Sequence, residues 1–226
     1  GRTLQVRRGR LAPTPAPSGI WRLETEQGQR WLARLKEHTW RTFGQVGSPR
    51  VGVKSCADAV FLRDDWGELP ERPELLYPVH THHIARRWAA RPPTHQLLYP
   101  HVDDGGRAAP APLQDHPRAR AYLEAHRERL ERRTYLLEAG RRWYELWVPQ
   151  RPAAWADPKL VWRDIAGAPT FWVDQDGWPV NGDCYWMRLD PELDPELIWL
   201  VAAVANTRLI ERFYDLRFHN KLYAGR

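Results

Sequence analysis

Pro117-Arg118-Ala119-Arg120-Ala121-Tyr122-Leu123-Glu124-Ala125-His126-Arg127-Glu128-Arg129-Leu130-Glu131-Arg132-Arg133-Thr134-Tyr135-Leu136-Leu137-Glu138 carries Leu123, Leu130 and Leu137 at a seven-residue interval, and Arg and Glu crowd its other faces. That spacing predicts one long amphipathic helix. Glu128 stands four residues before Arg132, the spacing of an i,i+4 ion pair, and Gly140 offers a natural stop.

Outward from this helix the pattern becomes short and extended. Leu75 to Val79 and Gln96 to Tyr99 are brief apolar runs that each meet a proline, which suits edge or terminal strands. Val51 to Leu62 reads as a turn feeding a short strand with Val60 and Leu62 on one face. Nearer the N-terminus, Trp31, Leu32, Leu35 and Trp40 give an incomplete amphipathic helix between Gln29 and Trp40. On the C-terminal side, Leu160 to Arg163, Thr170 to Asp174 and Cys184 to Leu189 predict the strands of a small meander, with Asp174-Gln175-Asp176-Gly177 as the turn between the last two. Pro195 to about Tyr214 is expected to be a helix, apolar along Leu197, Leu200, Val201, Val204 and Leu209, that packs into the core. Helices and strands alternate irregularly, so the expected fold is α+β: mixed small sheets, a long amphipathic helix and a buried C-terminal helix.

Composition narrows the function classes. The 226 residues suffice for one domain. Lys and Arg number 34 against 28 Asp and Glu, a formal charge of +6 that favours a polyanionic partner. Thirteen tryptophans exceed what a core of this size needs and point to aromatic surface. Cys56 and Cys184 lie far apart with no CxxC pair, which argues against a zinc site or disulfide scaffold and fits a reducing, cytoplasmic setting. No apolar run approaches the roughly 20 residues that span a bilayer, so no membrane role is expected. Ala12-Pro13-Thr14-Pro15-Ala16-Pro17-Ser18-Gly19 cannot hold a helix. Residues 1–19 are therefore read as a linker from a preceding domain, and 20–226 as the domain itself. A first residue other than Met, and an ending at Lys221-Leu222-Tyr223-Ala224-Gly225-Arg226, lead to the expectation of a piece of a longer protein, truncated at its C-terminus.

Motifs of chemistry are sparse. His80, His82 and His83 invite a metal reading, because His80 and His82 would share one strand face, yet no Cys or carboxylate stands nearby in sequence. Asp157-Pro158-Lys159 contains the DxK fragment of metal-dependent nucleases, although Pro158 would break the strand that carries it. GxSxG, a P-loop and an Asn-Pro-Pro-aromatic tetrapeptide are all missing, and Arg91-Pro92-Pro93-Thr94 lacks both the amide and the ring. No catalytic residue and no bound cofactor or metal are assigned.

The remaining signal is basic and aromatic. Arg132, Arg133, Arg141 and Arg142 stand beside Trp143 and Tyr144 in sequence, a combination suited to phosphate clamping and base contact. The alternative is that Trp143, Leu146 and Trp147 are core and the arginines a solvated face. Lys54 and Ser55, at a turn flanked by Gly52, suit phosphate binding through side chain and backbone, or form an ordinary polar turn.

Read in order, these segments resemble the C-terminal specificity domain of TaqI-type adenine-specific DNA methyltransferases and fused restriction-modification enzymes. Val51-Gly52-Val53-Lys54-Ser55-Cys56-Ala57-Asp58-Ala59-Val60-Phe61 is similar to the family's Gly-Ile-Lys-Thr-Gly-x-Asp/Asn-x-x-Phe segment, with Ser55 and Cys56 in place of Thr and Gly. The Leu75–Val79 and Leu97–Pro100 runs resemble its two strands that end at proline. Leu130-Glu131-Arg132-Arg133, Trp143-Tyr144-Glu145-Leu146, Pro158-Lys159-Leu160-Val161, the strand at Phe171, Ala205-Asn206-Thr207-Arg208-Leu209 and the Lys221–Arg226 ending follow in the family's order. His80 to Trp88 departs from it, standing where relatives show an Arg-Asp-Ile-like run.

The resemblance implies that this chain binds double-stranded DNA and reads its target. A covalently linked N-terminal domain would bind S-adenosylmethionine and methylate a flipped adenine. Two other classes remain open: a protein-interaction scaffold of a defence complex, and a metal-dependent nuclease.

Overall fold

The computed structural model describes residues 10–12 and 22–218; the 13–19 proline stretch and the Lys221–Arg226 ending fall outside the described residues. In chain order the elements are β1 (Arg10–Ala12), β2 (Arg22–Glu24), α1 (Glu26–Glu37), α2 (Phe43–Val46), β3 (Arg50–Val51), α3 (Asp58–Phe61), β4 (Leu62–Arg63), β5 (Leu76–Pro78), β6 (Gln96–Leu98), β7 (His101–Asp104) and β8 (Arg107–Pro110). There follow α4 (Pro117–Ala125), α5 (Arg127–Glu131), α6 (Thr134–Glu138), β9 (Lys159–Arg163), β10 (Phe171–Asp174), β11 (Cys184–Met187), α7 (Leu197–Ala205) and α8 (Arg208–Phe218). This is the α+β arrangement the alternation implied.

The two runs that meet prolines form adjacent antiparallel strands, with Leu76 opposite Leu98 and Pro78 opposite Gln96. In the order β4-β6-β5, β5 lies at the edge, where a residue without an N–H is tolerated, and β6 is central. This sheet packs on α4 and α5 around Phe61, Trp66, Leu97, Leu98, Leu123 and Leu130.

A second sheet runs β10-β9-β11-β3, so the expected meander is corrected: β9 is central and β11 pairs with β9, not with β10. Gly177, at φ +73, turns the chain as foreseen, but into the 178–183 segment instead of a hairpin. That segment is sandwiched between the Val53 and His80 stretches. Val53 N–H donates to Val180 O at 2.7 Å and Asn181 N–H to His80 O at 2.8 Å. Gly52 is obligatory there, because a Cβ at this position would lie 2.0 Å from Asn181 O.

Strand alternation gives the second sheet two apolar faces. Leu160, Phe171 and Met187 pack on α7, while Val161, Trp172, Cys184 and Trp186 form the opposite cluster.

The long helix of residues 117–138 is three short helices, α4 to α6. Leu123 and Leu130 are buried, but Leu137 is 41% exposed and Leu136 takes the inward position. The final break has a polar cause. Arg133 leaves helical geometry at φ −81, ψ 63, and its Nε caps Leu130 O at 3.1 Å. Gly140, at φ +74, ends α6 as expected.

The C-terminal helix is likewise two helices, broken at Asn206, and its buried face is different from the expected one. Ile198, Ala202 and Ala205 face the sheet, whereas Leu200, Val204 and Leu209 are exposed. Every residue of α7 is apolar, so periodicity cannot select a face; the small alanines permit the closest approach. The strand expected to carry Val60 is also corrected. Ser55 Oγ accepts from Ala57 N–H at 3.0 Å and donates to Asp58, which bends the chain into the single turn α3 before β4.

Candidate nucleic-acid interface

The sequence-predicted basic residues come from two segments about 80 positions apart, and Arg133 joins them. Its guanidinium donates to Ser55 O at 2.8 Å, Glu145 O at 3.0 Å and Trp143 O at 2.6 Å, in addition to Leu130 O. Arg133 is only 6% exposed, and burial pulls its pKa down, though a guanidinium stays cationic at physiological pH. Its donors are thus turned toward carbonyls of its own chain. A second link runs along the backbone, where Lys54 and Val148 exchange N–H to O bonds of 3.3 and 3.0 Å. The Lys54 turn and the 141–148 segment thereby form one continuous surface.

On that surface Lys54, Arg132 and Arg142 are exposed and Arg141 is half-buried. Arg132 pairs with Glu128 at 2.6 Å, the i,i+4 contact read from the sequence, with both side chains mostly in water. Arg141 donates to Leu146 O and Trp147 O and lies 5.2 Å above the Trp147 ring. Arg142 donates to Tyr144 Oη at 2.7 Å, a bond that raises its pKa.

The rings divide. Tyr144 is buried, with Oη donating to Ala111 O at 3.2 Å, and Trp143 packs half-buried under Arg127 at 5.1 Å. Tyr135 is the ring that faces solvent here, edge-on to Trp147 at 4.9 Å and exposed, a residue the sequence reading passed over. Its position directly after Arg132-Arg133-Thr134 was the available signal. Ser55 is buried and serves the α3 turn, so of this pair Lys54 alone reaches solvent. Cys56, between them and α3, holds φ +55, the left-handed conformation for which glycine is the natural residue.

The segment is anchored from beneath. Leu146 N–H donates to His101 Nε2 at 3.0 Å, and burial, followed by the charge of Arg141, pushes the His101 pKa down to about 4. His101 is therefore a neutral acceptor. Glu145 accepts Arg142 N–H at 2.8 Å and closes the turn that presents Arg142.

The readings based on metal chemistry separate in space. His80 donates through Nε2 to Asp174 at 2.7 Å inside the core, while His82 lies 2.5 Å from Asp183 near the surface. The two imidazoles do not converge as a shared strand face required, because a turn begins at His82. Lys159 is fully buried, donating to Asp174 and to Trp155 O at 3.0 Å, whereas Asp157 is exposed and pairs with Arg188 at 2.5 Å. The two ends of the DxK fragment point to different environments, so they cannot share one metal and one attacking water. Asp174 remains ionised: burial works against it, but His80 and Lys159 together hold its pKa below the ordinary range.

No protein-family model matches the chain. It is 34% identical over 212 residues to the type II methyltransferase M.BanIII of Aneurinibacillus aneurinilyticus, an alignment covering 91% of this chain and 37% of that protein. It is 28% identical over 148 residues to the type II methyltransferase M.PaeR7I of Pseudomonas aeruginosa, covering 65% of this chain and 25% of that protein. The chain is thus related to type II methyltransferases along nearly all of its length, and spans little more than a third of the first relative's.

Proposed function

We propose, from this kinship with type II methyltransferases, that the chain is the DNA target-recognition part of an adenine-specific methyltransferase of the TaqI type, working within a restriction-modification system. In this reading it grips duplex DNA while a linked N-terminal domain binds S-adenosylmethionine and methylates a flipped adenine. One observation carries the reading: Arg133 and the Lys54–Val148 bridge draw two remote segments into one surface that offers Lys54, Arg132, Arg141 and Arg142 beside Tyr135 and Trp147. Exposed guanidinium and ammonium groups at fixed spacing suit phosphate oxygens, and an arginine also matches the acceptor edge of guanine.

The test is fluorescence anisotropy with a labelled random-sequence duplex at two salt concentrations. Binding should weaken steeply with salt, and Lys54→Ala and Arg142→Ala should each reduce the slope of log K against log salt by about one. Absence of binding at low salt would overturn the reading. It would then favour a protein-interaction scaffold, for which the exposed Leu200, Val204 and Leu209 row offers a face.

A further inference from the structure

Residues 75–102 contain no Asp or Glu but three Arg and five His. Within them, residues 85–90 form a tight turn: Ala85 and Ala90 make an antiparallel bridge, Arg86 N–H donates to Ala89 O at 3.0 Å, and Arg91 N–H to Ile84 O at 2.9 Å. The base is fixed to the body of the molecule by buried Ile84 and Ala85. The tip is tied down as well, through Trp88 N–H to Phe171 O at 2.9 Å and Arg87 Nε to Pro169 O at 3.2 Å.

Trp88 occupies this turn at φ +78, a conformation that bulky residues rarely adopt, yet the residue is 56% exposed. Core packing therefore does not account for the ring. Among the described residues it stacks on no other ring and carries no cation over its face, and Arg86, Arg87 and Arg91 beside it are exposed. A costly backbone conformation that points an indole into water, flanked by guanidinium groups, calls for a partner that presents flat apolar faces between lines of negative charge.

The turn also has a defined place relative to Lys54. Val53 and His80 each form a parallel bridge to consecutive residues, Asn181 and Val180, of the 178–183 segment. Beyond His80 the chain turns at residues 82–84, and Trp88 comes to lie beside Trp172 at the β10 edge of the second sheet, the edge opposite β3, which leads to Lys54.

We propose that the 85–91 turn is a second DNA-contacting element, in which Trp88 enters the base stack as a wedge and Arg86, Arg87 and Arg91 hold its flanks to phosphate; this rests on the DNA-recognition reading above. Aromatic and apolar side chains inserted at a base step unstack it, and base flipping requires such unstacking.

Trp88→Gly is the decisive variant, because glycine is at ease at positive φ and the fold should be kept, which a thermal melt would check. Anisotropy with the labelled duplex should show about tenfold weaker binding for Trp88→Gly, an unchanged salt slope, and recovery of most affinity in Trp88→Phe. Arg91→Ala should instead lower the salt slope by about one. A duplex carrying 2-aminopurine should brighten with the unaltered chain and not with Trp88→Gly. If Trp88→Gly binds as tightly as the unaltered chain while Lys54→Ala and Arg142→Ala still weaken binding, the wedge is wrong and the recognition reading stands. If the unaltered chain binds no duplex at either salt, both fall together.

Discussion

Asn206 treats Phe171 as a neighbouring strand would: its Oδ1 accepts the Phe171 N–H at 3.0 Å and its Nδ2 donates to the Phe171 carbonyl at 2.9 Å. One side-chain amide thus satisfies both backbone groups at the start of β10 and breaks the C-terminal helix in doing so. The same carbonyl accepts Trp88 N–H, so Asn206 helps to hold the 85–91 turn as well.

Replacing Asn206 with Leu should cost about 1–3 kcal/mol, since the buried Phe171 N–H loses its acceptor while the Phe171 carbonyl keeps only Trp88 N–H. Asn206→Asp should also destabilise, because it keeps the acceptor and loses the donor. Urea denaturation would show a lower midpoint at constant m-value.

Arg133→Ala should destabilise the chain by about 3–5 kcal/mol, leaving carbonyls of Ser55, Leu130, Trp143 and Glu145 without their shared donor. Arg133→Lys should recover little, as an ammonium cannot span the directions of a planar fork. Arg142→Ala, by contrast, should change stability by less than about 1 kcal/mol and be felt in DNA binding.

Lys159 and Asp174 are directly opposed across β9 and β10 and completely buried. Asp174→Ala alone should cost about 3–5 kcal/mol because it strands the Lys159 ammonium in the core. Lys159→Met combined with Asp174→Leu should recover part of that loss, because the buried His80 Nε2–H still lacks its acceptor. Equilibrium unfolding of the singles and the double provides the cycle, and strictly additive losses would contradict the pairing.

His101 predicts a pH dependence of stability. Its folded pKa is pushed down to about 4 from the ordinary 6.5, so below pH 6.5 the unfolded chain takes up a proton that the folded chain refuses. The contribution is complete above pH 6.5 and lost progressively as pH falls toward 4, about 3 kcal/mol in all. Denaturation midpoints at a series of pH values should show this fall, and His101→Phe should flatten it while lowering stability throughout.

What the sequence revealed was the part governed by near neighbours. The β5 and β6 runs, the three later strands, the Gly140 stop and the Glu128–Arg132 pair follow from local pattern and spacing. The breaks at Arg133 and Asn206 were hidden because the partners that hold these side chains in place, beyond the local Leu130 carbonyl, lie far along the chain, at Ser55 and Phe171. The inward face of α7 was hidden for another reason, as a uniformly apolar helix has no stripe to read. At the interface, Arg133 looked like its arginine neighbours, and only tertiary contact separates the buried one from those in water. Trp88 gave no local signal either, since a positive φ is not written in the residue type.

The enclosure of Arg133 bears on how any map of functional residues for this chain will look. A scan that scores only lost activity will rank Arg133 beside Lys54 and Arg142, and draw the footprint one arginine too deep. Measured against stability, the same scan resolves into two sets, one that meets the outside world and one that keeps the first set in formation. The clasp also couples their histories: Arg142 can be exchanged in a single step, whereas exchanging Arg133 requires the Ser55 turn and the Trp143–Glu145 segment to change with it.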